Sequence, residues 1–438
     1  MMRIRLAGGL LALAATSFVP SPGSAQEPPP ATRDIDRRTE AILPRVVAWR
    51  RDLHANPELG NRETRTAGLV AEHLRKLGIE VRTGVAHTGV VGILRGGRPG
   101  KVVALRADMD ALPVTEEVDL PFASKARATW NGQDVGVMHA CGHDNHVAIL
   151  MGVAEVLAGI REQIPGTIKF LFQPAEEGPP EGEEGGAALM VKQGAFDAPA
   201  PDAVFGLHVF PFPVGTIAYK SGGAMASSDT LGVTVRGTQT HGAMPWRGVD
   251  PIVVASQIVL GLQTIASRQL DVTLAPSIVT LGSIHGGVRS NIIPDKVELA
   301  GTIRTFDEGQ RDQIHRRIRL TAESIAAASG ARAEVAITRG YPVTVNDPAL
   351  TERMLPTLRR VAGAGHVMAV PPTTTSEDFS YFAQRAPGLF LFLGVTPADQ
   401  DASKAAPNHS PRFYADEGAL PIGVRTLASL AMDYLAGR

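Results

Sequence analysis

The segment GVMHACGHDNH, Gly136 to His146, holds three histidines, an aspartate and the only cysteine of a 438-residue chain. Cys141 and His143 are one residue apart, so in an extended segment both side chains project to the same side and reach one metal ion or two neighbouring ones. Asp144 and Asn145 are N-cap candidates for a helix over HVAILMGVAEVLAGI, which puts both ligand candidates on the loop feeding a helix N-terminus, where a thiolate is favoured. Glu176 and Glu177 follow the apolar run TIKFLFQPA. Adjacent carboxylates on a turn face different directions, so one can ligate while the other holds water. Metal-assisted hydrolysis asks for that pair: the metal lowers the pKa of water, and an unligated carboxylate takes the proton and hands it to the leaving group. His208 in FGLHVF and His409 in PNHSPRF add two imidazoles. Read singly, a Glu-Glu pair is a solvated face and His208 a core histidine. Taken together, Cys141, His143, Glu177, His208 and His409 form five candidate ligands of types that suit zinc, manganese, nickel or cobalt. Five exceeds one tetrahedral site, and two divalent ions about 3.5 to 4 Å apart would accommodate them.

The elements that must position these residues are written in the hydrophobic pattern. A chain of this length exceeds one core, and its 44% apolar content is enough to fill two. From about Asp36 to Leu77 the pattern is helical. The runs VVGILRG, KVVALRAD, TIKFLFQP, DAVFGLHV and GLFLFLGV then alternate with longer helical stretches, the signature of an α/β domain with a mostly parallel sheet. RADMD, QPAEEG and LHV sit at or just past the ends of such runs, where sites gather in parallel sheets. Between about Ser228 and Val343 the order reads β-α-β-β-α-β, a ferredoxin-like split unit. The expected organisation is a catalytic domain over 36–227 and 343–438, interrupted by an inserted α+β lid domain over 228–342.

The N-terminus runs MMRIR, then LAGGLLALAATSFV, then SPGSA, the order of a secretory signal peptide over 1–25. Its apolar run of about 14 residues is shorter than the roughly 20 needed to span a bilayer. Residues 26–35, QEPPPATRDI, read as a flexible leader. An exported, periplasmic or secreted protein meets an oxidising milieu, where a lone thiol is a liability unless a metal holds it. With 43 basic against 44 acidic residues, no general attraction to nucleic acid or to a membrane surface is encoded for the mature form. Small-molecule partners are expected.

In order along the chain, ALRADMDALPVTEE, MHACGHDNH, LFQPAEEG, FGLHV, HGAMPW, SNIIPD, GTIRTF, SEDFS and NHSPRF resemble the M20 family of metallopeptidases. Within it the likeness is greatest to the amidohydrolase branch containing hippurate hydrolase, N-acyl-amino-acid hydrolases and the plant auxin-conjugate hydrolases. The resemblance runs from about residue 45 to the C-terminus. It implies a zinc-peptidase-like catalytic domain in which Cys141, His143, Glu177, His208 and His409 bind two metal ions, Glu176 is the general base and Asp110 orients a metal ligand. By spacing alone Asp108 is as good an orienting residue. The resemblance also matches His241 to a lid histidine that reaches the scissile carbonyl, and Asn291 and Arg304 to lid residues that meet the substrate's polar end. A homo-oligomer paired through the lid is a further implication. The chain departs from the branch in the extra PPEGEEGG after QPAEEG, which bears on access to the pocket.

The implied reaction is hydrolysis of the amide bond of an N-acyl amino acid, with Glu176 as base and then acid and with closure of the lid completing the site. A dipeptidase or carboxypeptidase of the same family is the nearest alternative. A nucleophilic Cys141 with His143 or His146 as its base leaves the paired glutamates without work, and a pure metal or solute binder has no use for the unligated Glu176.

Overall fold

The computed structural model describes residues 30–438. The expected signal peptide and residues 26–29 of the expected leader lie outside them. Residues 30–35 are not a flexible leader: the first helix, Pro30–Ala55, begins there, because Ile35 is buried in the main core. The stretch read as one helical pattern is broken. Thr64–Lys76 forms a second helix, and NPELGN between the two turns the chain. Pro57 lacks the N–H that a continuing helix needs, and Asn61 adopts a left-handed φ of 61°.

Eight strands form the large sheet, in the order Glu80–Val85, Gly89–Arg95, Pro165–Gln173, Arg98–Asp108, Ala203–Pro213, Gly388–Thr396, Ile217–Tyr219 and Val367–Ala369. The four in the middle run parallel to one another. Outside these the pairing is antiparallel at Glu80–Val85 on Gly89–Arg95, Gly89–Arg95 on Pro165–Gln173 and Gly388–Thr396 on Ile217–Tyr219, and the edge strand Val367–Ala369 runs parallel to Ile217–Tyr219. The central strands are covered on both faces and are largely apolar, as GLFLFLGVT shows, since a buried parallel strand has no solvent side; their buried polar residues include Arg106, Asp108, Gln173 and His208. Helices Pro30–Ala55, His143–Ala158 and Leu420–Leu435 pack together over the larger of the two cores.

A second, four-stranded antiparallel sheet is ordered Ser277–Gly286, Lys296–Thr305, Asp229–Arg236, Arg332–Arg339. Helices Pro251–Thr264 and Glu308–Ala328 cover it, with Val233, Ile258, Leu299, Ile314 and Ile318 in its own core. Numbered along the chain, its strands lie in the order 2-3-1-4 with helices after the first and third, which is the split β-α-β arrangement. Among the described residues no helix is long and apolar enough to cross a membrane.

Candidate metal centre

The candidate site side chains collect where the parallel strands end. Arg98–Asp108 delivers Asp108 and, just beyond it, Asp110; Pro165–Gln173 leads into Ala175, Glu176 and Glu177; and His208 stands on Ala203–Pro213. Cys141 and His143 are not in an extended segment, nor do Asp144 and Asn145 cap the helix. His143 is itself the first residue of the helix, and Gly142, at φ 87°, is its N-cap. A Cβ at Gly142 would lie 2.3 Å from Val209 Cγ2, so only glycine allows the turn to close against the His208 strand. Asp144 is drawn instead into a buried cluster with Arg50, at 2.9 Å, and His54, at 2.9 Å.

The five ligand candidates converge. Donor atoms of Cys141, His143 and His208 lie within 4.8 Å of one another, and so do those of Cys141, Glu177 and His409. Cys141 Sγ belongs to both groups, 3.4 Å from His208 Nε2 and 3.2 Å from His409 Nε2. His409 Nε2 is 2.9 Å from Glu177 Oε1. His208 donates from Nδ1 to the Val209 carbonyl at 2.8 Å, which leaves Nε2 with its lone pair facing the thiol. Asn408 steadies the same corner by donating to the carbonyls of Cys141 and Val209, each at 3.1 Å.

His143 is fully buried, and neither of its ring nitrogens makes a hydrogen bond among the described residues. Four carboxylates surround it: Asp110 at 3.4 Å, Asp108 at 3.6 Å, Glu176 at 3.9 Å and Glu177 at 4.0 Å. Burial lowers its pKa, but Asp108 and Asp110 outweigh burial and push it up to about 10. For Cys141, burial followed by the Glu177 and Glu176 charges drives the thiol pKa well above its usual value, against the expected effect of the helix N-terminus. Uncompensated negative charge, an unsatisfied imidazole and a disfavoured thiolate are what divalent cations would resolve. The donor set fits two of them.

The adjacent glutamates are pushed apart. Burial, then the charges of Glu377 and Glu177, raise Glu176 well above the ordinary carboxylate range. Burial also acts on Glu177, but its bond to His409 and the charge of His143 outweigh it and lower its pKa. Two neighbouring carboxyls with opposed environments are the usual mark of divided acid–base labour.

Asp110 accepts the backbone N–H groups of Glu176 and Glu177, each at 3.0 Å, and so fixes the turn that bears both. Asp108 has a different task. It accepts from Arg106 Nη1 at 2.7 Å and from His146 Nδ1 at 2.5 Å, while His146 Nε2 accepts the Val209 N–H at 2.8 Å. Both nitrogens of His146 are thereby occupied. His139 is buried with neither nitrogen bonded among the described residues.

A cavity of about 440 Å³ opens on Cys141, Glu176, Glu177, His208 and His409. Phe210 and Met225 give it an apolar wall, and Arg304, Ser228 and Tyr341 a polar one. Arg304 Nη1 is buried and has no hydrogen-bond partner among the described residues. His241 and Asn291 do not line the cavity. They lie together on the second unit, where the Gly242 N–H donates to the Asn291 carbonyl at 2.8 Å, and His241 is exposed with Nδ1 accepting the Ala243 N–H at 3.0 Å. The PPEGEEGG loop does not line it either; Glu183 is tied to Arg62 and Asn61, and Glu184 to Lys192.

Sequence reasoning missed the buried cluster beneath the site. Arg106, fully buried, donates to Gln173 at 2.8 Å, Glu377 at 2.7 Å and Asp378 at 3.1 Å as well as to Asp108, and Glu377 reaches the cavity wall. SEDFS and the arginine of RADMD were the available signals.

The profile of Peptidase family M20/M25/M40 matches residues 104–433. The chain belongs to the M20 family. It is similar to thermostable carboxypeptidase 2 of Saccharolobus solfataricus, 42% identical over 89% of this chain and 95% of the relative. To N-acetyl-L-cysteine deacetylase of Bacillus subtilis it is 39% identical over 86% and 84%. Among solved structures, a dinuclear metal binding peptidase of the M20 family from Bacillus subtilis superposes with a TM-score of 0.74 at 34% identity, over 91% of this chain and 99% of that one. This M20 protein is a metal-dependent hydrolase of the amidohydrolase and peptidase type, and its cofactor is a pair of divalent metal ions.

Proposed function

We propose that this M20 hydrolase cleaves the amide bond of N-acyl amino acids. The observation that carries the reading is the pair Glu176 and Glu177, one carboxyl driven up and one down, lining a cavity with a buried arginine nitrogen, unpaired among the described residues, on one side and an apolar wall on the other. Cys141, His143, Glu177, His208 and His409 would hold the two ions. When bound, the ions polarise the amide carbonyl and bring the pKa of water within reach of a carboxylate base.

The chain's own residues supply the rest. Glu176 takes a proton from water and returns it to the leaving nitrogen; its backbone carbonyl accepts from the Tyr341 hydroxyl at 2.6 Å, and Asp110 holds its N–H. Arg304 Nη1 is placed to take the carboxylate of the amino acid. Phe210 follows His208 by two residues on one strand, so its ring shares the face that carries the ligand and can pack against an acyl group. His241 and Asn291 join the site in this reading only if the second unit moves toward the cavity. The pattern of residues 1–25 supports export to the periplasm or medium.

Carboxypeptidase action is the second reading, supported by the 42% identical thermostable carboxypeptidase. One assay separates them: the metal-loaded protein on N-acetyl, N-benzoyl and longer N-acyl amino acids alongside dipeptides. N-acyl amino acids are expected to be cleaved with the higher kcat/KM, and Glu176→Gln to lower kcat by about 10²-fold or more. Inertness toward every acyl amino acid with two ions bound would sink the proposal, and near-native turnover of Glu176→Gln would remove Glu176 as the base.

A further inference from the structure

The turn Ala175–Glu177 is held by its backbone. Three successive N–H groups point into buried carboxylates: Ala175 donates to Glu63 Oε1 at 2.8 Å, and Glu176 and Glu177 donate to the two oxygens of Asp110. Ala175 stands at φ 49°, a left-handed conformation that a residue with a side chain keeps only when its surroundings enforce it. Glu63 is fully buried, does not line the cavity, and spends its other oxygen on the Thr88 hydroxyl. Its carboxyl is costly where it lies: burial and the Asp110 charge push its pKa up to about 8. Packing alone gives no reason to keep such a group.

We propose that Glu63 is a positioning residue which, by accepting the Ala175 N–H, holds this turn in the geometry that presents Glu176 and Glu177. The inference rests on the roles given to those two glutamates above. Without the acceptor, a buried N–H is left unsatisfied and Ala175 is free to relax toward negative φ. The following peptide planes rotate with it, and displacements of about 1 Å at reacting groups cost on the order of 10²-fold in rate.

The test compares full-length, metal-loaded Glu63→Ala and Glu63→Gln with the native chain, reading kcat and KM on the preferred acyl amino acid and metal affinity by competition with a chelator. Glu63→Ala is expected to lower kcat about tenfold or more with KM within about twofold, and to weaken metal binding about tenfold. Glu63→Gln, whose amide oxygen still accepts from Ala175, is expected to stay within about threefold of native on both. A folded Glu63→Ala chain with native kcat and metal affinity overturns the proposal, as does a Gln variant as impaired as the Ala variant. Should Glu63→Ala not fold, Glu63→Asp keeps a buried carboxyl but draws the acceptor back from the Ala175 N–H by one methylene, and native kcat and metal affinity there also overturn the proposal. The metal readout reports on Glu177 independently of catalysis. Weakened binding in Glu63→Ala together with an active Glu176→Gln would therefore count against the base assignment and leave the positioning role standing.

Discussion

Cys141 is the donor common to both ligand groups, and its thiol is driven up by burial and by Glu177 and Glu176. A thiolate there depends on cations, and cations sharing that corner depend on the sulfur. Cys141→Ser replaces a soft anionic donor with a neutral hydroxyl and is expected to weaken binding of at least one ion by about 10- to 100-fold, counted as metal per chain after dialysis. Retention of both ions would take the cysteine out of the site. The candidate donors could be read in the sequence because their residue types carry the chemistry: a thiol, imidazoles and a carboxylate remain what they are wherever the chain puts them. The groups that hold them could not. Glu63 works by accepting one backbone N–H from a turn 112 residues away, and Arg106 by tying Asp108 to Glu377, which lies 271 residues beyond Arg106 itself. Neither contact leaves a local pattern, and the exposed or buried state of a carboxylate is set by the fold around it.

At the scale of elements, the strands were legible because a strand covered on both faces must be apolar along its length, and GLFLFLGV or KVVALRAD has few other uses. Helix boundaries were less so. Asp144 and Asn145 have good capping chemistry, but Arg50 and His54 claim Asp144, and the helix starts at His143 after the left-handed Gly142. That start aims the His143 ring at the carboxylates and leaves Cys141 facing His208. The junction is tight, since Val209, which an added Cβ would strike, also receives the His208 Nδ1–H and donates its own N–H to His146. Gly142→Ala therefore combines overpacking with a disfavoured φ. It is expected to cost roughly 1–3 kcal/mol in urea unfolding and to weaken metal binding at the same time. Loss of stability with native metal affinity would show that the turn and the ligands are uncoupled.

For the whole molecule, the question is how the second unit is kept in register with a site built mostly on the first. The chain enters that unit at Asp229 and leaves it at Gly340, and both ends are bound together: Asp229 accepts from the buried Arg311, from His315 and from the Gly340 N–H. One residue on, the Tyr341 hydroxyl donates to the carbonyl of Glu176, so the joint is one side chain from the proposed base. Ser227 N–H to the Thr305 carbonyl ties the same joint to the strand carrying Arg304. Burial opposes ionisation of Asp229, but the hydrogen bonds from His315 and Arg311 outweigh it and hold the carboxyl well below its usual range. A carboxyl depressed in this way contributes stability that is complete above its unfolded pKa of about 4 and is lost as pH falls through the lower folded value. Asp229→Asn leaves the buried Arg311 with Glu308 as its remaining anionic partner, at 3.2 Å, and removes its charged bonds to Asp229, an effect of roughly 1–3 kcal/mol at neutral pH. The difference in urea midpoint between native and Asp229→Asn chains, both metal-free so that metal release does not contribute, is expected to be widest near pH 7 and to narrow below about pH 4. Because Arg304 is carried by the same joint, the metal-loaded variant is also expected to show a raised KM at pH 7. A difference that grows toward acid pH would mean that the Asp229 carboxylate is not what holds the joint.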